Sequence, residues 1–173
     1  MDRRKLGTLV LTAAVAAGVA ACEDGGATAV ETETSLVSVV PEGGASNVAT
    51  DADVEVTFDG PMHDRAVDYA DLHRGDVTGP MVAGSWSLEE NGTMMRFHAD
   101  ESLDPGTEYT VHLGGGMMDA EGHDVDMETH GTSMGGMWAD GSMMGGGMGS
   151  HMGEGWQHEN GSYGMVFTFT TAG

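Results

Sequence analysis

The stretch between Leu113 and Met165 has the least ordinary chemistry of the chain: its 51 residues hold nine methionines, four histidines, sixteen glycines and no lysine or arginine. Thioether sulfur is a soft, uncharged donor and imidazole an intermediate one. Together they suit Cu(I) or Ag(I), and imidazole alone suits Cu(II). Met134 and Met137 flank two glycines; Met143 and Met144 are followed by Met148; His151 and Met152 are adjacent, and His158 lies a little further on. Such close spacings let a flexible chain wrap a two- to four-coordinate ion, so these eight residues are the candidate metal ligands. Met62 and His63 form a secondary candidate pair. The competing reading is a Met/Gly tract with no dedicated ligand, because methionine is also an adaptable apolar filler. No Cys-containing blue-copper set accompanies the donors, which argues against electron transfer.

Asp119, Glu121, Asp124, Asp126 and Glu128 offer a hard-cation alternative for Ca²⁺, without the glycine and spacing of an EF-hand loop. His73, His98 and His112 fall on the outward phase of alternating segments and are expected at the solvated surface. Ser, His and Asp residues abound, but none sits in a nucleophile elbow. The glycine runs lack the Lys-Ser/Thr and following helix of a phosphate loop. No catalytic residue is expected, and the chain reads as a non-enzyme.

The elements that would position these donors are strands. Short alternating runs recur between turn signals, and no segment sustains helical periodicity. Seven strands are expected near Leu36–Val40, Asp53–Phe58, Val67–Arg74, Met81–Leu88, Thr93–His98, Thr107–Leu113 and Met165–Thr171. Val54, Val56 and Phe58 share one face, as do Tyr109, Val111 and Leu113, and Met165, Phe167 and Phe169. Gly84, Trp86 and Leu88 are expected to face inward, with Trp86 a central core aromatic beside Tyr109, Phe167 and Phe169. Asn91-Gly92 marks a hairpin, since both residues tolerate positive φ. The fold class is all-β, a two-sheet sandwich. Leu103-Asp104-Pro105-Gly106-Thr107-Glu108-Tyr109 has the form of a tyrosine corner, in which the hydroxyl returns to a backbone group a few residues earlier.

With that corner, four further segments in order resemble bacterial Ig-like domains of the SbsA type. They are Val40-Pro41-Glu42-Gly43-Gly44-Ala45-Ser46-Asn47-Val48, Val56-Thr57-Phe58-Asp59-Gly60-Pro61-Met62, Asp119-Ala120-Glu121-Gly122 and the closing Phe167-Thr168-Phe169-Thr170-Thr171. His123 stands where the family usually has Asn. The resemblance implies a Greek-key Ig-like sandwich of about seven strands, with the Met/Gly/His-rich segment as a long F–G loop beside the B–C loop of Met62 and His63. It also implies a structural or interaction module of surface and S-layer-associated proteins, with an unidentified envelope protein or surface polymer as partner.

At the N-terminus, Arg3, Arg4 and Lys5 precede an apolar run from Leu6 to Ala21. A charged start, a short apolar centre and small residues before a cut site describe an export signal over residues 1–21. Val19-Ala20-Ala21-Cys22 resembles a bacterial lipobox, which makes Cys22 the lipidation site and the membrane a partner through its lipid anchor. Residues 22–34 are a polar tether. Residues 35–173 form the Ig-like domain, with 114–164 as its insertion. The expected localisation is exported and membrane-anchored, at the outer membrane or cell surface in a Gram-negative host. The chain's formal charge is −22, and beyond residue 21 it has 27 acidic residues against three arginines. Such a surface repels nucleic acid and anionic headgroups.

Overall fold

The computed structural model describes residues 33–125, 127, 137–138 and 164–173. Where the sequence alternates, it builds strands, and two sheets result. One contains β1 (Leu36–Val40), β3 (Val54–Phe58), β6 (Met94–Ala99) and β5 (Gly84–Glu89), in the order β1-β3-β6-β5. The other has the order β2-β9-β7-β4, from β2 (Ala45–Val48), β9 (Met165–Thr171), β7 (Glu108–Leu113) and β4 (Ala70–Arg74); a two-residue β8 (Met137–Trp138) pairs with β9. The all-β sandwich expected from the sequence is the fold observed.

Alternation decides which side chains meet between the sheets. Val54, Val56 and Phe58 of β3 are buried against Met95 and Phe97 of β6 on one side of the layer. Tyr109, Val111 and Leu113 of β7, with Met165, Phe167 and Phe169 of β9, supply the other. Burying each such side chain contributes about 1.5–3 kcal/mol. Tyr109 and Phe169 stack with ring centroids 5.7 Å apart.

Trp86 departs from the expected central position. It is half-buried, because β5 lies at the edge of its sheet and the layer thins there. Its ring leans on Phe97 with centroids 5.3 Å apart, at the margin of the core. Gly84, on the same strand, lies under the Phe97 ring, where any Cβ would collide with the ring and with the His98 carbonyl. The Asn91-Gly92 hairpin forms as a wider turn than two residues: Glu89 pairs with Met94, and Glu90, Asn91 and Gly92 all take positive φ. Residues Asp64–Tyr69, partly expected as strand, instead form a 3₁₀ helix that leads into β4. Two strands lay outside the expected set. β2 runs parallel to β9 and β8 antiparallel to it, and neither has an alternating apolar pattern of its own.

The tyrosine corner forms as read. Tyr109 Oη accepts the Asp104 backbone N–H at 2.8 Å. Thr171 of β9 locks the same corner, its Oγ1 donating to the Asp104 carbonyl at 2.6 Å and accepting the Thr107 N–H at 2.9 Å. Phe at position 109 keeps the stacking but strands the Asp104 N–H. Tyr109→Phe is therefore expected to lower stability by about 1–3 kcal/mol, measured as a reduced urea midpoint at unchanged m-value.

Candidate functional site

At one end of the sandwich, the loop after β3 meets the chain leaving β7. Met62 and Asp119 form a β-bridge, the His63 N–H reaches the Met118 carbonyl at 3.0 Å, and the Ala120 N–H reaches the Pro61 carbonyl at 2.9 Å. The expected neighbourhood of the Met62–His63 loop and the root of the insertion is thus present. The first part of the insertion is packed: Met117, Val125 and Met127 are all buried in the core. These positions follow the pattern of a closing turn, not of a Gly-rich tract.

Asp119 organises this turn. Its Oδ1 accepts the backbone N–H groups of Glu121 and His123 at 3.0 and 2.9 Å, and its Oδ2 lies 3.1 Å from His123 Nδ1 and 3.3 Å from Thr34 Oγ1. Burial alone would raise the carboxyl pKa. The backbone and ring hydrogen bonds of His123 outweigh that effect and hold it below the usual carboxylate range. With its oxygens so engaged, Asp119 is a fold residue. Glu121 and Asp124 are exposed, while Asp126 and Glu128 of the calcium alternative lie outside the described residues.

A shallow cleft of about 140 Å³ opens beside this turn, lined by His63, Arg65, Ala66, Tyr69, Gly116 and Met118. Met118 is exposed, whereas Met62 is buried. His63 caps the Asp64–Tyr69 helix, its Nδ1 accepting the Arg65 N–H at 3.1 Å. An acceptor at Nδ1 puts the proton of the neutral ring on Nε2. His63 can therefore bind a metal through Nε2 only by giving up its cap.

Of the expected insertion ligands, Met137 is placed, its backbone pairing with Val166 of β9. Met134, Met143, Met144, Met148, His151, Met152 and His158 lie outside the described residues, as does Cys22.

The histidines expected on the surface divide. His98 is exposed, with Nδ1 2.7 Å from Asp53 Oδ1. That hydrogen bond is the main reason the Asp53 carboxyl titrates below its usual range. His73 and His112, by contrast, are buried, at 3% and 2% exposure. Both lie on the outer face of the β4–β7 pair, where that face is covered and alternation no longer means solvent. The signal available in the sequence was the unbroken apolar run Met165-Val166-Phe167, since a strand apolar on both phases is covered on both faces. Burial pushes the His112 imidazole below its ordinary pKa, against the opposing effect of Asp71.

The three arginines beyond residue 21 all serve carboxylates. Arg96 alone bridges Asp53, Glu55 and Glu89 at 3.2, 2.7 and 3.0 Å, tying β3 and β5 across β6. A neighbouring acidic recess of about 210 Å³ is lined by Asp51, Asp53, His98, Asp100 and Glu101. Among the described residues, no three His, Cys, Asp or Glu side chains converge as a metal site.

A family profile for the bacterial Ig-like domain matches residues 30–133. The chain belongs to the bacterial Ig-like domain family. Solved structures with a similar fold include CopC from Methylosinus trichosporium OB3b, at 16% identity and a TM-score of 0.46, covering 81% of this chain and 94% of that one. Domains 1–6 of the surface layer protein SbsC match at 14% identity and a TM-score of 0.43, covering 82% of this chain and 14% of that one. L,D-transpeptidase 1 of Mycobacterium tuberculosis matches at 23% identity and a TM-score of 0.36, covering 53% and 38%. No curated protein matches the chain.

The buried His112 sets a pH dependence. Its pKa in the folded chain lies below the unfolded value of about 6.5, so the unfolded chain binds more protons as the pH falls through that value. Stability is accordingly full above about pH 7 and declines toward pH 5. Thermal melts over this range should show a falling midpoint in the parent chain and a flatter profile in His112→Gln.

Proposed function

We propose that this chain is a lipid-tethered Ig-like module of the cell envelope, acting as a structural or interaction domain and not as an enzyme. The observation that carries this reading is the closed apolar layer between the sheets, which leaves faces and loops, not an enclosed cleft, for contact with other molecules. The family supports it, as does an acidic surface fitted to remain soluble at high ionic strength. Among the described residues no helix is long and apolar enough to cross a membrane. Attachment is assigned to Cys22 after removal of residues 1–21, with residues 22–34 as tether. The partner is an envelope protein or surface polymer. In cells fed a labelled fatty acid, the parent chain should carry label and fractionate with membranes. Cys22→Ala should lose the label and the membrane association, and label retained by that variant would sink the anchor assignment.

The soft donors favour a second reading, a copper- or silver-binding lipoprotein. Met118 is an exposed thioether at the rim, and the segment beyond it concentrates methionine and histidine. Titration with Cu(I) against a competing chelator checks it. The parent chain should bind more tightly than a chain whose residues 139–161 are replaced by a Gly/Ser linker, and equal affinity would end this reading.

A further inference from the structure

We propose that His73 and His112 form a two-imidazole site for a monovalent soft cation, Cu(I) or Ag(I), on the outer face of the second sheet. This deepens the metal reading and rests on it for the identity of the ion. The register brings the pair together: Asp71 pairs with His112 and His73 with Thr110, so the two histidines are diagonal neighbours on one face. Diagonal neighbours stand about 7–8 Å apart, within reach of long side chains.

The proton on His73 is placed by geometry. Nδ1 lies 2.9 Å from the Gly79 carbonyl, which only accepts, so Nδ1 must carry the hydrogen. Nε2 is left as a lone pair, buried and with no hydrogen-bond partner among the described residues. An unmatched buried acceptor is costly. A ring held by a carbonyl at one nitrogen with its lone pair inward at the other is how metal-binding histidines are oriented. Gly79 is fitted to that task, because a side chain there would collide with the Arg74 carbonyl. On the other strand, Asp71 Oδ2 lies 3.8 Å from His112 Nδ1 and can orient that ring. Burial lowers the His112 pKa and so favours the neutral ring that a ligand must present.

Two imidazole donors are compatible with the ion which that reading supplies. Zinc takes four ligands and calcium six or more oxygens. Two neutral imidazoles suffice for a linear d¹⁰ monocation. Met137 pairs with Val166, and Val166 with His112, so the backbones of Asp71, His112, Val166 and Met137 occupy one cross-strand row.

The test is Ag(I) titration of the full chain carrying ¹⁵N-labelled histidine. The His73 and His112 ring resonances should shift together, while His98 stays in place. His73→Gln should weaken Ag(I) binding about tenfold or more, and His98→Gln should not. Silver bound without movement of either buried ring overturns the site. Should His73→Gln fail to fold, the parent spectrum alone decides. The chain with residues 139–161 replaced by Gly/Ser separates the two ideas. If that chain still shifts both rings, the sandwich site stands and the insertion is not the ligand set. If it loses silver, and His73 and His112 never moved in the parent, the insertion binds and this site falls.

Discussion

A single apolar layer between two sheets is the constraint from which the rest of the molecule follows. Each strand contributes alternate residues to it, so the phase of every strand is fixed: a slip of one residue would turn Val54, Val56 and Phe58 to solvent and bring Glu55 and Thr57 inside. The tyrosine corner clamps one end of this layer through Tyr109 and Thr171. The Asp119 turn closes the other, with Met62, Met117 and Met127 beneath it. The loop after β3 and the turn after β7 meet at the second of these closures.

Much of this was legible in the residue pattern, and the reasons for the remainder are physical. Strands β1 and β9 have the bounds that alternation gave, because each begins and ends against a turn signal. Ala45–Val48 was missed because Ser46 and Asn47 interrupt any apolar phase; it becomes a strand through parallel pairing with β9, a tertiary effect. Trp86 was placed too deep because alternation gives a side chain's direction and not its strand's position in the sheet. His73 and His112 were placed on the wrong side of burial for a related reason: the outward phase implies solvent only where nothing covers the face. The methionines of the insertion divided for yet another reason. Met117 and Met127 look in sequence like Met118, yet they are buried where Met118 is exposed, because the turn about Asp119 returns the chain onto the core.

Charge shapes the same surface. With so few cations, each arginine is committed, and Arg96 holds three carboxylates from neighbouring strands. Such a pattern favours solubility in salt over association with anionic partners. The proposed binding of a soft ion would depend on donor type more than on net charge.

The claim that the chain after β7 is part of the sandwich, and not the start of a loose loop, is open to one direct measurement. Amide hydrogen exchange can compare the backbone of Met117 and Val125, which bond to one another across the turn, with that of β7. The Val125 N–H is expected to exchange nearly as slowly as the β7 amides, through global unfolding. Exchange at the rate of an unstructured peptide would contradict it, and would detach the rim from the fold that positions it.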